Sequence, residues 1–299
     1  MRRFRFGTNM LADEPGDWAD VCRAVEAQGF DVLLAPDHLG MASPFVRLAA
    51  AAAVTSRLRL GTYVLNNEFW NPALLAREAA TLDQVSGGRF ELGLGSGHMK
   101  SEFDDAGILW RPHAERTANL VAALDELDRR LAEGGQEPRP VQSPRPPLLI
   151  GGHGPATLTM AAERADIVGF SGLTQRRRRR LGEFSVADSA ETLRRVELVR
   201  ERAAGRGYES SVLVQMVAVT DDVEATTARI LEQAGPGVFP EGEPVWENPY
   251  VLIGTPREIA DRILERRERY GFSYVVTQAP YRDALAEAIP LVRAQEGTA

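Results

Sequence analysis

Apolar residues along this chain fall into two alternating rhythms. Residues 58–65 (LRLGTYVL) and 89–94 (RFELGL) are short runs rich in branched and aromatic side chains and bounded by turn formers, the pattern of buried strands. Between them Leu74, Leu75, Ala79, Leu82 and Val85 recur at helical spacing, with Pro72 suited to the first turn and Gly87-Gly88 stopping the run. A crossover of this length joins parallel neighbours in the right-handed sense, so the segment is a strand, a covering helix and a parallel strand.

The same unit repeats along the chain. Strands are predicted at 4–8, 31–35, 58–65, 89–94, 148–150, 167–170, 212–219 and 273–277. Helices are predicted at 17–28, 44–56, 72–85, 114–133, 156–164, 190–204, 223–233, 256–270 and 283–293. Eight strands, each followed by helix, over 299 residues predict an α/β fold of the (β/α)8 TIM-barrel kind. It is read as a single barrel domain over 1–299, with insertions at 172–207 and 235–249. A doubly wound open sheet is the alternative, but no G-x-G-x-x-G run follows the first strand.

Composition narrows the function classes. A net charge of −7 disfavours unspecific nucleic-acid binding. The single cysteine, Cys22, lies in the first predicted helix and has no intramolecular partner, which points to a reducing compartment. No secretory signal is read at the N-terminus and no apolar run approaches the ~18 residues of a membrane helix, so the expectation is a cytoplasmic protein with no membrane partner. The 34 arginines against one lysine carry no mechanism.

In a barrel the chemistry sits at the C-terminal ends of the strands. There the chain places Asn9, Asp37, His38, Asn66, Asn67, the stretch from Gly95 to Glu102, the run Gly151, Gly152, His153 and Gly154, then Ser171 and Gln278. Three of the four histidines, His38, His98 and His153, fall on this edge. Metal hydrolysis would also put histidines there, but the chain has neither H-x-H nor H-E-x-x-H, and no metal site is assigned.

Asp37-His38 after the second strand, the run NPALLAREAATLDQVSGGRFELGLGSG and the run PPLLIGGHGPATLTMAAERADIVGF together resemble the luciferase-like monooxygenase superfamily, a set of flavin- or deazaflavin-dependent (β/α)8 barrels. The resemblance runs from Phe6 to about Phe170 and resumes at IGTPREIADRILERRERYGFSYVV. It is weakest over 172–207 and 235–249. The runs HMKSEFDDAGI and GGHGP look more like the branch that uses coenzyme F420 than the branch that uses FMN.

That resemblance implies an oxidoreductase passing hydride between C5 of a deazaflavin and a small organic substrate, and it implies a homodimer. It puts His38 beside the coenzyme ring as the group that polarises or deprotonates substrate, with His98 as second catalytic candidate and Glu102 and Asp37 orienting. It implies a non-prolyl cis peptide at Tyr63-Val64 behind the ring, with Asn66 on the same edge. Coenzyme phosphate would meet backbone N–H groups at Gly95, Ser96, Gly97 and His98, and at Gly151, Gly152, His153 and Gly154.

The chain departs from the pattern at His98, where sugar-phosphate and alcohol dehydrogenases of this branch carry a catalytic glutamate. Glu102 lies four residues later. Because Lys100 is the only lysine, the phosphate-binding lysines of the sugar-phosphate enzymes have no counterpart, and glucose-6-phosphate is not expected as substrate.

Plainer readings of the same residues stay open. Asp37-His38 also suits a strand end with a local acceptor, GGHGP a strand-to-helix turn, and Glu102 a helix-initiating carboxylate. Phe69, Trp70, Phe103 and Trp110 either line a pocket or pack loops onto the barrel. The arginines at 176–180 read as a solvated face, or as an attractor for an anionic polyglutamate tail. At the level of function, an FMN-dependent monooxygenase and a flavin-binding barrel without turnover remain as alternatives.

Overall fold

The computed structural model describes residues 2–10, 16–175 and 184–296. The arginine run at 176–180 lies outside the described residues.

The strands are β1 (Arg5–Asn9), β2 (Val32–Ala35), β3 (Arg59–Thr62), β4 (Leu65–Asn66), β5 (Phe90–Gly95), β6 (Leu148–Gly152), β7 (Ile167–Phe170), β8 (Leu173–Gln175), β9 (Phe184–Val186), β10 (Glu209–Val214), β11 (Met216–Val219), β12 (Val251–Gly254) and β13 (Phe272–Gln278). The helices are α1 (Trp18–Ala27), α2 (Pro44–Val54), α3 (Pro72–Val85), α4 (Lys100–Asp105), α5 (His113–Leu131), α6 (Pro155–Arg164), α7 (Ser189–Ala203), α8 (Val223–Ala234), α9 (Pro256–Tyr270) and α10 (Arg282–Glu296).

Eight strands pair in parallel in the order β3-β2-β1-β13-β10-β7-β6-β5, and β3 pairs with β5 to close the ring. The chain folds as a (β/α)8 barrel, as the repeat predicts. Its interior is layered by strand alternation. At the N-terminal end Arg5 pairs with Glu91 and Glu209, and Arg59 with Glu91. Above them Val32, Leu34, Leu149, Ile167, Leu213, Tyr274 and Val276 form a buried apolar plug, against which Tyr63 and Val64 pack. The larger core lies between the strands and the helices and includes Phe6, Leu33, Leu60, Leu92, Ile150 and Val275.

Two predicted strands need correction. The single strand 58–65 is interrupted: β3 ends at Thr62, Tyr63-Val64 is a cis peptide, and β4 resumes at Leu65. From Gly61 to Leu65 the chain advances four residues while its partner advances three, from Glu91 to Leu94, so one residue is extruded as a bulge. The predicted strand 212–219 is two strands. β10 stays in the barrel, whereas β11 leaves it to pair with β12, which the apolar pattern did not separate out. The break falls at Gln215, whose N–H donates to the Tyr250 carbonyl (2.8 Å) and whose Nε2 donates to the Ser171 carbonyl (2.6 Å). An unbroken apolar run carries no record of where its hydrogen-bond partner changes.

Within the run NPALLAREAATLDQVSGGRFELGLGSG, the stretch DQVSGGR (residues 83–89) is architectural. Asp83, fully buried, accepts from the Val141 and Gln142 N–H groups and from Gln142 Nε2. Arg89 donates to the carbonyls of Ala52, Leu58 and Ser86, so it locks α2 to the start of β5. These contacts lie at the N-terminal face, where a barrel invests in stability rather than chemistry. Among the described residues no helix is long and apolar enough to cross a membrane.

Candidate active site

At the opposite face, His38 follows β2 and Glu102 comes from α4. Imidazole Nδ1 and carboxylate Oε1 are 2.8 Å apart, and the two side chains are 22% and 13% exposed, so this is a sheltered pair rather than a surface one. Sequence spacing separates the partners by 64 residues. Helix α4, which the apolar pattern did not predict, carries Glu102 to His38.

The His98 ring stands edge-on to His38, with centroids 5.8 Å apart and planes at 82°. Phe184, the first residue of β9, then meets His98 at 6.1 Å and His153 at 5.8 Å. A row of four rings therefore runs across the mouth from the end of β2 to the end of β6. The three histidines predicted to share an edge are brought into one group. Phe184 lies in the stretch 172–207, where neither periodicity nor resemblance is strong, and its aromatic character in a polar segment is the one signal the sequence offers for it.

Burial sets the charge of two of these rings. It pushes His98 down, with His38 and Arg116 adding to the effect. It takes His153 from 6.5 to about 4, with help from Arg195, His98 and His113. Both rings are thus neutral at physiological pH and able to donate at one nitrogen and accept at the other.

Asp37, next to His38 in the chain, is held by the loop beyond β4. Its Oδ2 accepts from the Asn66 N–H (3.1 Å) and from the Trp70 indole N–H (2.9 Å), so the carboxylate ties the end of β2 to the loop beyond β4. Burial pushes Asp37 up despite those two donors. Of the aromatics left open above, Phe103 is fully buried, edge-on to Trp110 at 4.8 Å and near Phe69 at 5.7 Å; they pack α4 and its flanks.

The glycines of the mouth divide by what stands where a Cβ would be. At Gly95 it would come 2.8 Å from a Val64 methyl, and at Gly151 3.4 Å, so these two accommodate the bulge. At Gly97, with φ of +75°, it would overlap the Asn66 amide oxygen, and at Gly152 it would meet the Thr157 side chain. At Gly154, just before α6, no atom of the described residues stands within 4 Å of that point. The floor of the mouth holds Asn9, whose Nδ2 donates to Gln278 Oε1 (3.0 Å) while its Oδ1 is buried without a partner among the described residues. No group of three or more His, Cys, Asp or Glu side chains among the described residues converges as metal ligands.

A closed parallel barrel with a carboxylate-bonded imidazole at its C-terminal mouth has the architecture of a barrel enzyme. The chain belongs to the luciferase-like monooxygenase family, whose sequence profile matches residues 3–274. It is 28% identical over 261 residues to an FMNH(2)-dependent dimethylsulfone monooxygenase of Pseudomonas putida, covering 72% of this chain and 68% of that one. It is 30% identical over 192 residues to a 5,10-methylenetetrahydromethanopterin reductase of Methanopyrus kandleri, covering 56% of this chain and 55% of the relative's length. Among solved structures, the coenzyme F420-dependent tetrahydromethanopterin reductase from Methanopyrus kandleri superposes with a TM-score of 0.75 at 21% identity, over 97% of this chain and 100% of that one, a likeness of fold. These relatives are oxidoreductases, and they divide between the two coenzymes.

Proposed function

We propose that this protein is a coenzyme F420-dependent oxidoreductase acting on a small organic substrate. The observation that carries the reading is the His38–Glu102 hydrogen bond at the barrel mouth. A hydride transfer to or from a carbonyl, imine or enone must be matched by a proton, and this pair is built to manage one. With Glu102 ionised, Nδ1 carries the hydrogen of the bond and Nε2 is the atom left to face substrate.

The residues present fit a bound deazaflavin. Among the described residues the buried Asn9 Oδ1 has no donor and nothing crowds the position of a Cβ at Gly154, at the start of α6, where an anionic group would sit. Tyr63, Val64 and Asn66, the segment Gly95, Ser96, Gly97 and His98, and the turn Gly151, Gly152, His153 and Gly154 are the residues assigned to hold the coenzyme, with Asp37 bracing Asn66. When bound, the coenzyme supplies hydride exchange at C5 of its ring. His38 then holds or releases the proton at Nε2, Glu102 fixes the tautomer, and His98 and His153 offer neutral hydrogen-bonding groups beside Phe184. Orientation of substrate against these side chains contributes much of the rate.

The longer match to the dimethylsulfone monooxygenase favours a second reading, an FMN-dependent monooxygenase in which the same mouth excludes water. Titration of the purified protein with F420 and with FMN, followed by fluorescence quenching or heat, separates the two. Saturable binding of F420 with FMN left free is expected. Preference for FMN transfers the protein to the second reading, and binding of neither overturns both.

A further inference from the structure

Arg116, in the first turns of α5, is 4% exposed, and its guanidinium makes no hydrogen bond to a carboxylate among the described residues. Instead Nε donates to the Ser96 carbonyl (3.1 Å), Nη2 to the Gly97 carbonyl (3.4 Å) and Nη1 to the Arg111 carbonyl. The group lies 3.8 Å from the centroid of Trp110 and 5.8 Å from that of Phe103. Its negative counterpart is Glu68, whose side chain is 2% exposed and accepts from Arg111 Nη1 (3.2 Å) and Asn119 Nδ2 (3.1 Å).

Burying a guanidinium on carbonyls and ring faces costs desolvation that an apolar side chain of similar size avoids, so stability alone does not account for an arginine here. Its fork does something an apolar residue cannot. In a trans peptide the C=O and N–H point opposite ways, so anchoring the carbonyls of Ser96 and Gly97 aims the N–H groups of Gly97 and His98 away from the guanidinium. Neither N–H has a backbone acceptor among the described residues. The same anchoring sets where the His98 ring stands.

We infer that Arg116 is a positioning residue for the mouth, holding the segment 96–98 so that His98 stands edge-on to His38 and two backbone donors remain available on the side opposite the helix. Arg116 touches none of the reacting atoms; it acts through the loop. Calling those donors part of a coenzyme site rests on the function proposed above, whereas the placement of His98 does not.

The test uses the full-length protein with histidine-selective carbon labelling. In the wild type the His38 and His98 rings are close enough for cross-relaxation between their protons. Arg116→Lys keeps a charge but loses the fork, and Arg116→Met keeps the bulk alone. Both are expected to abolish the His38–His98 cross-peak and to weaken coenzyme binding by about tenfold or more, the worth of losing one or two charge-assisted hydrogen bonds. Arg129→Met, on the exposed face of the same helix, is expected to change neither. If Arg116→Met fails to fold, Arg116→Lys decides alone. A cross-peak of undiminished intensity in a folded Arg116→Lys protein overturns the inference. Loss of the cross-peak in the variant, with a wild type that binds neither F420 nor FMN, leaves the positioning role standing and removes the proposed function instead.

Discussion

Acidification gives a direct measure of how deeply His153 is set into the mouth. In the folded protein its value lies at about 4, chiefly through burial and secondarily through Arg195, against 6.5 in an unfolded chain. The unfolded state therefore takes up a proton first. Stability from this group is fully present above pH 6.5 and is lost as pH falls toward 4. Each tenfold difference in proton affinity is worth about 1.4 kcal/mol, so the whole loss approaches about 3 kcal/mol, and the fall between pH 7 and pH 5 is about 2 kcal/mol. Replacing the ring by an uncharged amide, His153→Gln, removes that slope while keeping polar atoms near Phe184. Urea midpoints of wild type and variant at pH 7, 6 and 5 provide the assay, because His98 and His113 titrate in both proteins and largely cancel in the difference. With a slope of about 3 kcal/mol per molar urea, the gap between the two midpoints should move by roughly 0.6 M between pH 7 and pH 5, in favour of the variant at the acid end. Midpoints that stay parallel across this range would show that His153 is as solvated as a free histidine, and the account of it as a sheltered, neutral ring would be wrong.

Three further outcomes are expected. Asp37→Ala leaves the Asn66 and Trp70 N–H groups without their acceptor and should cost about 2–4 kcal/mol, whereas Asp37→Asn, which keeps an acceptor and sheds a charge that burial disfavours, should stay within about 1 kcal/mol of wild type; equal losses in chemical denaturation would refute the bracing role. Gly95→Ala should cost about 1–3 kcal/mol by pressing on Val64, while Gly154→Ala, with open space around its new methyl, should shift the melting temperature by only a degree or two; a reversed order of the two melts contradicts the packing described. Glu102→Gln should preserve coenzyme affinity to within a few fold but lower kcat by about 10²–10⁴, with His38→Gln no worse when the two are combined; additive losses would mean that the two residues do not work as a unit.

Much of this protein follows from the order of its residues. The alternation of apolar runs and amphipathic stretches determines eight parallel strands with helices outside, because strand and helix periods of two and 3.6 leave different imprints on a chain. That topology in turn puts His38, His98 and His153 at one end, since in a parallel barrel every strand delivers its following residue to the same face. The bond expected at Tyr63-Val64 is the cis one found. What sequence could not supply is which of these residues touch. Glu102 reaches His38 only because a short helix, too brief to show a period, folds back across the mouth. Phe184 joins His98 to His153 from a short antiparallel strand pair with no strong pattern, and Asp37 is engaged by Trp70 from another loop. The glycines after β5 illustrate the limit most plainly. Read along the chain they suggest a backbone that an anion can approach; in three dimensions the bulged Val64 beside Gly95 and the Asn66 amide beside Gly97 give a second reason why no side chain fits there. Periodicity is a local property and is written in the sequence, whereas contact between loops depends on distances across the barrel that only the closed fold determines.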